Sequence, residues 1–126
     1  MQKIFKYLVL SLALTAVSST PLSAADFESL IGRWQRPDGG YVLEIRSIAK
    51  DGTASVRYLN PRPINVARAE ASQDGDGLNV FIELQDVGYP GATYSLIYNP
   101  SQDVLQGLYY QPTAGQTFEV VFVPLD

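Results

Sequence analysis

The chain has 126 residues, with 9 Lys and Arg, 13 Asp and Glu, and neither His nor Cys. That composition excludes a Ser-His-Asp or Cys-His nucleophile, an imidazole or thiolate metal site and a disulfide framework. Carboxylates, tyrosines and arginines remain for chemistry, and nothing in the sequence calls for a metal or a cofactor.

Lys3 and Lys6, an apolar run at residues 8–17 and a small, polar stretch at residues 18–25 follow the three-part order of a secretory signal peptide. The run is shorter than the roughly 20 residues that a membrane-spanning helix needs. Ser23 and Ala25 place the expected cut after Ala25, and no Cys follows to take a lipid anchor. The sequence thus predicts a signal peptide at residues 1–25 and a single domain at residues 26–126, periplasmic or secreted and without membrane attachment once processed. Those later residues carry all 13 acidic side chains and seven of the 9 basic ones, a net charge of −6. A domain of this length buries a core without staples. The acidic balance speaks against nucleic acid, which needs a basic patch, and turns any charge-driven partner toward a cationic protein.

Asp26-Phe27-Glu28-Ser29-Leu30, with Phe27 and Leu30 three apart, predicts a short helical turn. Turn chemistry then recurs at Pro37-Asp38-Gly39-Gly40, Asp51-Gly52, Asn60-Pro61-Arg62-Pro63, Asp74-Gly75-Asp76-Gly77, Tyr89-Pro90-Gly91, Asn99-Pro100 and Pro112-Thr113-Ala114-Gly115. Between these breaks lie eight segments, residues 31–36, 41–49, 53–59, 64–72, 78–85, 92–98, 104–111 and 117–123. They are dense in β-branched and aromatic residues and keep no 3.6-residue apolar period, so each is predicted as a strand. Alternation puts Tyr41, Leu43 and Ile45 on one face, Leu78, Val80, Ile82 and Leu84 on another, and Phe118, Val120 and Phe122 on a third. Ala67, Ala69 and Ala71 form the predicted inward face of the fourth segment, opposite Arg68 and Glu70. With Gly107 they leave some room inside, which Phe81, Tyr94 or Tyr110 would fill. Short connections make successive strands antiparallel neighbours. The predicted fold is therefore all-β, an eight-stranded antiparallel meander closed into a small up-and-down barrel, which hides the sheet edges; a β-sandwich is the alternative. The Asp26–Leu30 turn would cover one end.

Gly32-Arg33-Trp34 resembles the G-x-W motif of lipocalins and the wider calycin group, eight-stranded barrels that often bind small apolar ligands. Residues 31–45 are similar in rhythm to the first hairpin of avidin-like proteins. The resemblance implies the architecture, with Trp34 plugging the closed end. It does not extend to the ligands: residues 117–126 hold no Arg or Lys to lie over the Trp, and Trp34 stands alone where an avidin-type site has several.

Candidate binding residues fall in two loops. Pro61 and Pro63 stiffen the turn that presents Asn60 and Arg62, with Arg57 and Arg68 on the flanking strands; a guanidinium fork there suits carboxylate or phosphate. In the second loop Tyr89 and Tyr94 are the candidates. Gly91 to Tyr94 resembles part of the serine-glycine-x-x-tyrosine loop by which one class of periplasmic lysozyme inhibitors enters the enzyme's cleft, with Pro90 in the place of the serine. Glu44, Glu70, Glu83 and Glu119 point to solvent by alternation and form no pair with glycosidase spacing, so no enzyme activity is predicted. The expected function is a non-enzymatic binding domain that holds a small anionic or amphipathic molecule at a barrel end. The alternative is a protein-interaction module similar to those inhibitors, with a cationic protein as partner.

Overall fold

In the computed structural model, which describes residues 26–126, the predicted segments fold as nine antiparallel strands; the expected signal peptide lies outside the described residues. After a 3-10 turn at Glu28–Leu30 come β1 (Gly32–Gln35), β2 (Val42–Ile48), β3 (Ala54–Leu59), β4 (Pro63–Ile64), β5 (Val66–Asp74), β6 (Gly77–Leu84), β7 (Thr93–Asn99), β8 (Val104–Gln111) and β9 (Gln116–Pro124). One sheet holds them in the order β4-β3-β2-β1-β9-β8-β7-β6-β5. Its outer strands curl toward each other into a nearly closed barrel: Thr53 bridges Glu70, and the Ala71 N–H donates to the Gly52 carbonyl at 2.7 Å.

The ninth strand arises because the fourth predicted segment divides at Asn65. Its backbone leaves the ladder to tie down the end of β6: the N–H donates to Asp86 Oδ2 at 2.8 Å, and the carbonyl accepts from Gln85 N at 3.0 Å. The side-chain amide adds a bond to the Gln85 carbonyl at 3.1 Å. Pro63 and Ile64 therefore fold back on Leu59 and Tyr58, while β5 departs to pair with β6. A bulge between Val66 and Arg68 breaks the alternation there. Ala67 is consequently exposed rather than inward, and only Ala69 and Ala71 of the three alanines join the core.

The interior is filled. Tyr58, Tyr94, Phe122, Leu43, Ile45 and Leu105 are each at most 1% exposed, and every such side chain contributes about 1.5–3 kcal/mol by leaving water. Phe81 and Tyr110 are not among the fillers: both sit opposite outward residues of neighbouring strands, and Tyr110 is 42% exposed. Gly107 does not make room either. A Cβ there would lie 2.0 Å from the Ser95 carbonyl oxygen, so glycine is what lets β8 approach β7 this closely.

The two barrel ends differ. At the closed end Leu30, fully buried, caps the core, and its carbonyl accepts the Trp34 Nε1–H at 3.0 Å. Trp34 is 3% exposed and meets Tyr98 edge-on at 6.2 Å, as its predicted plug role requires. The net charge also collects here: Asp26, Glu28, Asp51, Asp74, Asp76, Asp103 and Asp126 stand against Lys50. On the barrel wall Arg33, Arg46, Arg57 and Arg68 balance Glu44, Glu70, Glu83 and Glu119, and at the open end Arg36 and Arg62 balance Asp38 and Asp86.

Candidate binding site at the open end

The open end is formed by the β1–β2, β3–β4, β6–β7 and β8–β9 connections. Pro37 has no N–H to continue a ladder, so β1 stops at Gln35 and the chain turns. Arg36 N–H donates to the Tyr41 carbonyl at 2.9 Å, and Gly40, at φ 72°, closes the loop onto the Arg36 carbonyl at 2.9 Å. Two residues past Trp34, Arg36 shares its inward face, and its side chain is 12% exposed.

The guanidinium is held on three sides. Nε and Nη2 form a fork on the two Asp38 carboxylate oxygens at 3.0 and 2.7 Å, while Nη1 donates to the Tyr94 hydroxyl at 2.9 Å. Its carbon lies 4.6 Å from the Tyr41 ring centre and 5.8 Å from that of Tyr109. The Tyr94 and Tyr58 hydroxyls are 2.8 Å apart. Around this chain the rings pack on one another: Tyr94 on Tyr109 at 4.5 Å, Tyr58 on Tyr41 at 6.1 Å, and Tyr89 edge-on to Tyr58 at 6.2 Å. Asn60 Nδ2 donates to the Tyr89 hydroxyl. Phe118, 43% exposed, extends the aromatic wall above Tyr109.

A count of donors gives the site its chemistry. Tyr94 accepts from Arg36, so the Tyr58–Tyr94 bond uses one of the pair's two phenolic hydrogens. The other has no acceptor among the described residues. Arg36 has five N–H groups, of which three are engaged. Donors therefore outnumber acceptors at the base of the mouth. Burial pushes Tyr94 up to about 12, although its bonds to Tyr58 and Arg36 act the other way. Burial, with the neighbouring Tyr94, raises Tyr58 well above the usual phenol range, and burial raises Tyr109 too. Both remain neutral donors at ordinary pH. For Arg36 burial alone would lower the pKa, and the bonds to Asp38 and Tyr94 more than offset it. Asp38 in turn is held below its usual value by the fork.

Of the residues the sequence singled out, Asn60, Tyr89 and Tyr94 meet in this mouth. Tyr94 is wholly buried, so the loop does not present it to an outside partner. Arg57 lies on the outer wall, 3.5 Å from Glu44. Arg68 lies there too, beside Glu70 and 3.6 Å from Glu83, stacked 4.6 Å over the Phe81 ring. Arg62 is exposed at the tip of the β3–β4 turn. Sequence reasoning passed over Arg36, Asp38, Tyr41, Tyr58 and Tyr109. Parity with Trp34 was the available signal for Arg36, and the break at Pro37 concealed it.

Fold and mouth together define a class: a small, nearly closed antiparallel β-barrel whose open end is lined by tyrosines around one largely buried guanidinium. No family model, curated protein or solved structure matches the chain.

Proposed function

We infer that the protein is a non-enzymatic binding barrel, acting in the periplasm or outside the cell, that takes a small amphipathic anion into its open end in the manner of calycin-like carriers. The surplus of donors around Arg36 carries this reading. A carboxylate placed over Arg36 would accept the free N–H groups and the spare phenolic hydrogen, and an apolar tail would lie along Tyr41, Tyr89, Tyr109 and Phe118. Asp38, whose side chain is 61% exposed, is the resident counter-ion with which the ligand exchanges.

Isothermal titration with a medium-chain fatty acid and with the alcohol of the same chain length tests the reading. The acid is expected to bind at least tenfold more tightly than the alcohol. Arg36→Gln abolishes that preference, and Asp38→Asn, by freeing the fork, strengthens acid binding. Equal affinity for acid and alcohol, or an acid preference that survives Arg36→Gln, overturns it.

A further inference from the structure

The spare phenolic hydrogen lies out of reach of solvent. It belongs to the Tyr58–Tyr94 pair, residues that are 1% and 0% exposed. From the mouth the pair is covered by rings: Tyr41 stacks on Tyr58, Tyr89 meets it edge-on, and Tyr109 lies on Tyr94. Something must move before a ligand can accept that hydrogen, and the wall beside Tyr58 is the most weakly held part of the barrel. β4 and β5 are the two ends of the sheet and do not pair with each other. In place of a ladder, a strap of residues 60–65 closes the upper seam. It gives β3 two pairs, Tyr58↔Ile64 and Leu59↔Pro63, and Pro63 has no N–H to offer. Asn65 clips the far end to Gln85 and Asp86, and Asn60 donates to the Tyr89 hydroxyl at the near end. A cleft of about 430 Å³ beside the strap reaches Val56, Tyr58, Ile64 and Val66. A second, of about 390 Å³, continues down the seam past Ser55 and Ala67. Lower still the seam is clasped by Thr53↔Glu70 and by the Ala71 N–H on the Gly52 carbonyl.

We propose that residues 60–65 are a gate, and that the amphipathic anion reaches the buried hydroxyl pair through the wall beneath them; the route rests on the binding reading above. The least-bonded segment of a fold opens at the lowest free energy, ahead of its laddered strands. Ile64, 5% exposed, fills the wall directly opposite Tyr58. When Asn65 releases Gln85 and Asp86, the strap lifts with Ile64 and uncovers the flank of the Tyr58 ring. Pro61 and Pro63 fix φ at two of its positions, so the strap moves as a stiff flap and gives up little order in opening. The Gly52 clasp stays shut and confines the opening to the upper seam.

Thiol labelling tests the gate without a ligand, because the chain has no Cys of its own. Ile64→Cys on the strap is compared with Leu96→Cys, a 1% exposed position on β7 in the body of the sheet, using an aromatic disulfide whose reaction depends on access to the thiol. Ile64→Cys is expected to react at least tenfold faster, and adding Asn65→Ala speeds it by a larger factor than it speeds Leu96→Cys. Stopped-flow tyrosine fluorescence of the unaltered protein with a medium-chain fatty acid gives the second measurement. The association rate is expected to level off with acid concentration, at a ceiling that Asn65→Ala raises. Equal labelling at the two positions overturns the gate. A rate that climbs in proportion to acid concentration without a ceiling overturns it too, and leaves the binding reading standing. If the acid does not bind at all, the binding reading fails and the route with it, and the labelling still settles whether the strap opens.

Discussion

Trp34 spans the closed end between the Leu30 carbonyl and the Tyr98 ring, so its removal both strands a buried acceptor and opens a cavity. Trp34→Ala is expected to cost about 3–5 kcal/mol in equilibrium denaturation, the usual penalty for deleting a large buried ring. At the other end Tyr94 bridges Arg36 and Tyr58. Tyr94→Phe leaves a guanidinium N–H and the Tyr58 hydroxyl unpaired together, for a loss of about 1–3 kcal/mol. Tyr58→Phe removes a single bond of the same chain, so its penalty by the same measurement is the smaller of the two. Alkaline pH acts on the same group. Burial holds the Tyr94 phenol up at about 12, above the ordinary phenol value of about 10. A phenol raised in this way contributes its full stability below the unfolded value, and the contribution is lost as pH rises through that interval. Spectrophotometric titration should therefore show the exposed tyrosines ionising first and the buried ones only with the unfolding transition. At this scale the sequence was legible where alternation ran unbroken, as along Val80, Ile82 and Leu84. It was silent where a side chain's partners lie far along the chain: Arg36 meets Tyr94 across 58 residues.

Strands were legible as elements because turn residues punctuate them and because β-branched and aromatic residues fill the spaces between. The division of the fourth segment was not, since the bonds that pull Asn65 out of the ladder come from Gln85 and Asp86, 20 and 21 residues away. Gly107 was read as spare volume. In the folded chain it marks a close approach of β8 to the Ser95 carbonyl of β7. Gly107→Ala must push β8 away from the Ser95 carbonyl and is expected to cost about 1–3 kcal/mol, as overpacking does. For a domain of this size that lowers the thermal midpoint by roughly 4–8 °C per kcal/mol. Calorimetry of the variant gives the value directly. Ser95→Ala leaves that carbonyl in place and should not relieve the clash.

Across the whole molecule the barrel closes at two thin seams. β1 meets β9 through Trp34↔Pro124 and Gln35↔Val123, and the chain entering β3 meets β5 through the bridge Thr53↔Glu70 and the Ala71 N–H on the Gly52 carbonyl. Everything between the seams is nearest-neighbour pairing of strands adjacent in sequence. The up-and-down order was legible for that reason, and the seams were not, because each carries few pairs: one joins opposite ends of the domain, and the other skips over β4 to join Thr53 to Glu70. Cutting the chain at Asn65 would thus sever no strand: each piece keeps a contiguous half-barrel whose apolar inner face fits the other. Two separately made peptides, one ending at Ile64 and one beginning at Val66, should stay unfolded alone and reassemble on mixing. The reporter is built in, since the chain's one Trp lies in the first piece and its neighbour Tyr98 in the second. A blue shift of Trp34 emission on mixing would make this barrel a split sensor, its signal switched on when whatever is fused to the two halves brings them together.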